Sequence, residues 1–485
     1  MADSLRNKAV KGVGWSFADN LSNQGITFLV GLVLARLLTP AEYGLIGIIL
    51  IFVAVFNSIV DGGLSNALIR KPDADEKDLN TVFYSNLAVS VLLCAAMYGS
   101  AVWVGAFFDQ PTLVGLTRAM SVIVVVNALA LVQRAVLVKR IDFKTQTKVS
   151  LIANLTSGGV GIAMAIYGCG VWSLVGQQLS RSLLTTLLLW VFSRWTPSWL
   201  FSWRSFRELV GYGWKLLLST LIDTIWKEIN QVVIGKCYSP QALGQYTRAY
   251  QFSSICSSNL TSVVQRVSFP ALSAIQDQPE QLGAAYRKVI RVTMLVTFVA
   301  MLSLAAVAEP LIRVLVGDQW LPAVPMLQLL CFSMMLYPLH ALNLNMLQVQ
   351  GRSDLFLWLE IVKKTIAIGP LLLGIFVGIH WMLVGGIVTG VISYWLNAFY
   401  SGRMIGYSFA RQVRDIFPSF VVALLVGAAI YPLTLLGWSP FVVLPLQLLA
   451  AFVLAWGICE WSQLDEYLEI KHIIQTIITK FGHGK

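Results

Sequence analysis

Charged and hydrogen-bonding side chains recur inside long apolar runs of this sequence, and their types suit holding an anion rather than making or breaking bonds. Arg248, Gln251, Ser258, Asn259, Ser262 and Arg266 form one stripe at helical spacing. Upstream, Asp223, Lys227 and Asn230 share a helix face, with Gln231 beside them. Near the N-terminus, Ser16, Asn20, Asn23, Gln24 and Thr27 project within about a 100° arc, with Asp19 at its edge. Arg181 falls near the middle of another apolar run. An ionised side chain at mid-bilayer costs at least ~2.5–3.5 kcal/mol, so such groups face a water-filled cavity or a tight ion pair. The functional reading is a cationic cleft that receives an anionic head group while an apolar tail stays in lipid. Lys227, Arg248 and Arg181 would supply the positive charge. The structural reading stays open beside it, because Asp223 and Lys227 are four residues apart and can neutralise each other as a clamp between helices.

Other chemistry finds no support. The phosphate loop GxxxxGK[ST] is absent, which argues against a self-contained ATP-driven pump, and neither HExxH nor GxSxG occurs. The six cysteines show no CxxC and no metal-like spacing, so neither a metal nor a cofactor is expected. The net charge of +11 is scattered in twos and threes between apolar runs, unlike the clustered basic face of a nucleic-acid binder, so no nucleic acid is expected.

The elements that must position these residues are transmembrane helices. Of 485 residues, 57% are hydrophobic and 12% charged, with mean hydropathy +0.72. A water-soluble domain carries roughly 25% charged residues. Lipid is therefore the solvent. Runs long enough to span, about 20 residues each, lie at 13–36, 43–65, 81–103, 113–134, 149–168, 171–192, 209–235, 242–268, 289–308, 322–349, 355–377, 381–402, 417–436 and 440–459. No cleavable leader is expected, since the first run lacks a small-residue cleavage site. Basic residues concentrate in alternate loops, among them Lys139, Arg140, Lys144 and Lys148, which places both termini in the cytoplasm of an inner-membrane protein. Residues 460–485 are expected to form an amphipathic surface helix.

A repeat organises the spans. Gly14-Trp15 opens the first, followed by Thr39-Pro40-Ala41-Glu42-Tyr43-Gly44; Gly213-Trp214 opens the seventh, followed by Ser239-Pro240-Gln241-Ala242-Leu243-Gly244. Both copies start on the cytoplasmic side, so the halves are parallel six-span repeats, a transporter architecture with substrate at the repeat interface. The expected class is an all-α integral membrane protein of about fourteen helices. Its parts are an N-lobe over 1–208, a C-lobe over 209–402, and two extra helices with a tail over 403–485.

These motifs also carry a resemblance. The segments Lys11-Gly12-Val13-Gly14-Trp15, Leu34-Ala35-Arg36-Leu37-Leu38-Thr39-Pro40, Asp61-Gly62-Gly63-Leu64-Ser65-Asn66-Ala67-Leu68-Ile69, Phe269-Pro270-Ala271-Leu272-Ser273 and Trp320-Leu321-Pro322-Ala323-Val324-Pro325 are similar to those of Wzx-type polysaccharide flippases. The chain most resembles the colanic-acid-exporter-like, lipopolysaccharide-biosynthesis branch of the multidrug/oligosaccharidyl-lipid/polysaccharide superfamily. The resemblance implies two six-helix lobes in a V around a lumen lined by the first, second, seventh and eighth helices. It also implies alternating access that moves undecaprenyl-pyrophosphate-linked oligosaccharide, an O-antigen or exopolysaccharide repeat unit; an ion gradient is the expected energy source because the carboxylates Asp19 and Asp223 face the same cleft. On that reading Asn20, Asn23, Gln24, Asn230, Gln251 and Asn259 hold sugars, while Asp223 and Asp19 serve a coupling ion. Expected partners are the lipid-linked oligosaccharide, membrane lipids, and a glycan polymerase with its chain-length machinery. Two rivals remain. A cation-coupled drug exporter of the same superfamily predicts an acidic cleft, and a glycan polymerase, ligase or assembly scaffold predicts a large outer loop or assembly partners.

Overall fold

A computed structural model describes residues 22–71 and 73–482. Among the described residues every regular element is helical. By its internal contacts the chain divides into two compact units, Met1–Gly244 and Gln245–Lys485.

The first unit holds α1 (22–37), α2 (Pro40–Asp61), α3 (Leu64–Arg70), α4 (Glu76–Phe107), α5 (Thr112–Lys139), α6 (Phe143–Ile166), α7 (Trp172–Ser193) and α8 (Trp203–Cys237). Helices α4 with α5, α6 with α7, and α5 with α7 form its main packed pairs, and α8 packs against α2, α3 and α4. Leu68, Phe83, Val132, Val136 and Trp195 form one of its sealed cores. The turn between α6 and α7 is a few residues long because Gly168 and Gly170 both adopt left-handed backbone, φ +75° and +57°, which reverses the chain at once.

The second unit continues with α9 (Pro240–Ser273), whose first residues belong to the first unit, then α10 (Pro279–Ala306), α11 (Ala308–Leu315), α12 (Ala323–Met334), α13 (Tyr337–Val349), α14 (Ser353–Ile366), α15 (Ile368–Phe376), α16 (Ile379–Ile405), α17 (Phe409–Ile430), α18 (Pro440–Ser462) and α19 (Asp465–Gly482). Its helices α10 and α17 pack along one another, and Leu295, Val422, Val426, Ile430 and Leu444 close a core there. Two of its spans are broken and a third helix is stopped, each for the same reason. A proline lacks the N–H that bonds four residues back, and its ring clashes with that carbonyl. Pro310, Pro338 and Pro370 accordingly stop α10 at Ala306, α12 at Met334 and α14 at Ile366, each four residues upstream.

The chain is a multi-pass membrane protein. Nine helices or helix pairs among the described residues are long and apolar enough to cross a membrane. The broken pairs α12–α13 and α14–α15 fall on the expected spans 322–349 and 355–377.

The repeated turns open both copies in the same way. Thr39 Oγ1 accepts the Glu42 amide at 3.4 Å and Ser239 Oγ accepts the Ala242 amide at 3.1 Å, so each caps a helix that starts on proline. The glycine that closes each motif meets the proline of the other. A Cβ at Gly44 would overlap the Pro240 carbonyl, and one at Gly244 would overlap that of Pro40. Backbone cannot yield as a side-chain tip can. Gly44→Ala is therefore expected to lose ~1–3 kcal/mol through overpacking. Gly99→Ala in open space within α4 is expected to gain ~0.5–1 kcal/mol from reduced chain entropy. Thermal unfolding of the purified variants checks the contrast.

Candidate functional site on the polar helix faces

Three described helices are long enough to span yet too polar to pass as lipid-facing rods: α7, α8 and α9, of 22, 35 and 34 residues. A helix of that length reaches beyond the ~30 Å hydrocarbon core, so polarity on it marks a face turned away from lipid.

In α8, Leu209 and Gly213 are buried at one end and Ile234 and Gly235 at the other, with no buried residue between. Between those ends the residues are half-buried or exposed, and Thr224 shares a hydroxyl bond of 3.1 Å with Ser58 of α2. On that stretch Lys227 Nζ pairs with Asp223 Oδ2 at 2.8 Å, with the two side chains 71% and 52% exposed. An exposed ion pair in mid-helix needs water around it, since lipid would impose the insertion cost of each charge. Glu228, one position on, turns inward to half-burial and bonds Gln231, while Asn230 is half-buried beside them. Glu228 escaped the sequence reading because it lies about 100° around the helix from the Asp223–Lys227 line.

In α9, Arg248 departs from the expected hydrated face. It is only 3% exposed, its guanidinium lies 5.2 Å from the centre of the Trp320 ring, and Nη1 donates to Gln251 Oε1 at 2.6 Å. The physical reason is Trp320, itself fully buried, which covers Arg248 from a turn outside α9. Gln245, one turn earlier, donates to the Gln319 carbonyl at 2.9 Å, so this end of α9 is tied to the loop before α12. Further along, Ser257 and Thr261 turn inward, Asn259 is half-buried, and Ser258 is exposed. Lys227 and Arg248 belong to different units, and each has a partner within its own, Asp223 for Lys227 and Gln251 for Arg248.

Asn23 accepts from Asn154 Nδ2 at 2.6 Å, which joins α1 to α6, whereas Gln24 is exposed. Asn20 and Asp19 lie outside the described residues. Arg181 is half-buried on α7, close enough to Arg134 of α5 for their charges to act on one another. Arg134 was passed over because it ends an apolar run, where arginine ordinarily snorkels to the interface. No group of His, Cys, Asp or Glu among the described residues could hold a metal ion, and Cys169 and Cys237 are free thiols. The arrangement suits ion pairing and hydrogen bonding to a polar cargo.

Residues 33–325 match the family described as polysaccharide biosynthesis protein. The succinoglycan biosynthesis transport protein ExoT of Rhizobium meliloti is 26% identical over 419 residues, 86% of this chain and 83% of that protein. The lipopolysaccharide biosynthesis protein WzxC of Escherichia coli is 24% identical over 445 residues, covering 90% and 86%. Among solved structures, the lipid II flippase MurJ in an inward closed conformation superposes with TM-score 0.70 at 14% identity, covering 92% of this chain and 97% of that one. An inward-facing multidrug resistance transporter of the MATE family, of the MOP superfamily, superposes at 0.60 and 15% identity, covering 79% and 95%. These two likenesses establish the fold.

Proposed function

The chain belongs to the polysaccharide biosynthesis protein family, and from that premise we propose that it is a flippase for polyprenyl-pyrophosphate-linked oligosaccharide. It moves the repeat unit from the cytoplasmic to the outer leaflet of a bacterial inner membrane by alternating access, and it is a transporter rather than an enzyme. Both termini are cytoplasmic, in keeping with the basic alternate loops. The names of the relatives, a succinoglycan transport protein and a lipopolysaccharide biosynthesis protein, support this cargo class.

The observation that carries the proposal is the exposed Asp223–Lys227 pair on the middle of α8. Lys227 exchanges its carboxylate partner for the pyrophosphate, which offers more charge and more acceptor oxygens than Asp223 does. Asp223, thus released, is available to a coupling ion together with Glu228 and Asp19. Arg181 adds a further positive charge within the first unit. Arg248 acts as a positioning residue that fixes α9 beneath Trp320. Asn20, Asn23, Gln24, Asn230, Gln251 and Asn259 offer amides to the sugars. The polyprenyl chain stays in lipid, and the delivered unit passes to a glycan polymerase with its chain-length machinery.

Vesicles test this directly. The full chain is reconstituted with a fluorescently labelled polyprenyl-pyrophosphate oligosaccharide, and a membrane-impermeant quencher reads which leaflet holds the label. Faster movement than in protein-free vesicles is expected, with no uptake of a cationic dye. Movement at the protein-free rate, or dye transport in its place, rejects the assignment.

A further inference from the structure

At one end of the second unit an open pocket of about 750 Å³ lies between α10, α17 and the start of α19, lined by four arginines and three carboxylates. Two of the arginines are already engaged. Arg287 holds Asp415 through bonds of 2.5 and 2.8 Å, and Arg291 reaches Asp465 at 3.0 Å and the buried Glu466 at 2.7 Å. The other two are not. Arg411 donates to the neutral Gly406 carbonyl at 3.2 Å and forms no ion pair with a described residue. Arg414, one turn on, makes neither a hydrogen bond nor an ion pair with a described residue, and both residues are exposed. The remaining carboxylate of the lining, Glu280, is exposed in the first turn of α10 and pairs with neither of them. Beyond these arginines the same face of α17 turns apolar. At 100° per residue Arg411, Arg414, Phe417, Pro418 and Leu425 fall within an arc of about 120°. Phe417 and Leu425 are 57% and 53% exposed on a helix long and apolar enough to cross a membrane. The other faces of α17 are covered. Phe420 meets Phe298 of α10 at 5.4 Å, and Val422, Val426 and Ile430 share a core with Leu444 of α18.

We infer that this face binds one anionic phospholipid of the bilayer, with its phosphate on Arg411 and Arg414 and an acyl chain along Phe417 and Leu425. The planar fork of arginine matches a phosphate with two parallel bonds. Free phosphate shares that chemistry, but it has no use for an apolar lane that starts at the cations and runs along the span. From Arg414 to Leu425 is eleven residues, about 16 Å of helix, which matches one leaflet rather than a soluble ion. The topology proposed above puts this end of α17 at the cytoplasmic leaflet, where anionic lipids gather basic pockets between spanning helices. The inference goes beyond the flippase reading and does not depend on the identity of the cargo.

The test takes the purified, delipidated full chain in neutral detergent and follows its unfolding temperature at constant ionic strength. Phosphatidylglycerol, phosphatidylcholine and inorganic phosphate are titrated in turn. Phosphatidylglycerol is expected to stabilise the protein saturably, because a ligand bound only by the folded state raises stability with its concentration. Phosphatidylcholine, whose choline cancels the phosphate charge, and inorganic phosphate, which has no chains, should not. Arg411→Gln with Arg414→Gln should weaken the apparent affinity for phosphatidylglycerol about tenfold or more, while Arg411→Lys with Arg414→Lys should keep most of it. Phe417→Ala, which leaves both charges in place, should weaken it severalfold. Arg204→Gln with Arg207→Gln removes the same charge from exposed positions at the start of α8 and should leave it unchanged. Equal stabilisation by inorganic phosphate overturns the lipid assignment, and equal stabilisation by phosphatidylcholine overturns recognition of the head group. The site itself falls if phosphatidylglycerol has no effect, or if its effect survives loss of both arginines.

Discussion

Replacing Arg291 by alanine is expected to release the C-terminal helix α19 from the second unit and to cost about 3–5 kcal/mol, the scale for breaking a buried ion pair from one side. Arg291 Nη2 donates to Glu466 Oε2 at 2.7 Å, and Glu466 is 1% exposed. Its other oxygen accepts from Ser419 of α17 at 2.6 Å. The carboxylate therefore joins α10, α17 and α19, and without Arg291 it would stay buried with a single neutral donor. Asp465, also bonded by Arg291 at 3.0 Å, is 75% exposed and adds little. Arg287 forms a second clamp nearby, with Nε and Nη2 on the two Asp415 oxygens at 2.5 and 2.8 Å, and the Tyr407 hydroxyl donates to Asp415 at 2.8 Å. Thermal unfolding should register the Arg291→Ala loss, together with faster proteolysis between α18 and α19. Adding Glu466→Gln should recover most of the stability by removing the stranded charge. An unchanged melting curve for Arg291→Ala would show that α19 is held by its apolar contacts instead.

The span boundaries were legible because lipid imposes one rule, length and apolarity, on every crossing, and proline and glycine mark the turns. The short reversal at Cys169-Gly170 and the one before His380 both occur, between α6 and α7 and between α15 and α16. The internal breaks at Met334 and Ile366 went unread, although the prolines four residues downstream carry the signal, whereas the end of α10 at Ala306 falls within two residues of the expected span end at 308. The tail helix was expected as an amphipathic surface element, and α19 is helical, yet Glu466 docks it through a buried charge. Site residues were harder to place. Helical periodicity puts side chains on one face of one helix but does not say what covers that face. Arg248 illustrates the gap: its stripe is real, and a tryptophan seventy-two positions along the chain seals its end. Lys227 lies on an equally polar helix and is itself exposed, paired with Asp223. Distant contacts decide such cases, and the spacing of nearby residues carries no record of them.

Neutralising both members of the α8 pair separates carrying an anion from merely clamping helices. Lys227→Met alone leaves Asp223 ionised at bilayer depth, a cost of at least ~2.5–3.5 kcal/mol unless water reaches it, so loss of transport in that variant is ambiguous. Asp223→Asn with Lys227→Gln removes both charges, and the pair's mutual attraction is then no longer needed. If Lys227 only neutralised Asp223, this double variant would transport as the original protein does. If Lys227 holds the pyrophosphate, the double variant stays folded but loses transport, because an amide offers the anion one weak dipole where the ammonium offered a full charge. Lys227→Arg with Asp223 intact should keep substantial activity, since charge and partner both survive. The expected pattern is stable protein for all three variants in the membrane. Transport should be abolished in the double-neutral variant and retained in Lys227→Arg, read by the leaflet-quenching assay in vesicles and by export of polymer from cells. Full transport by the double-neutral variant would leave α8 an open face with no cationic role. Its exposed pair would then be only a way of keeping two charges hydrated.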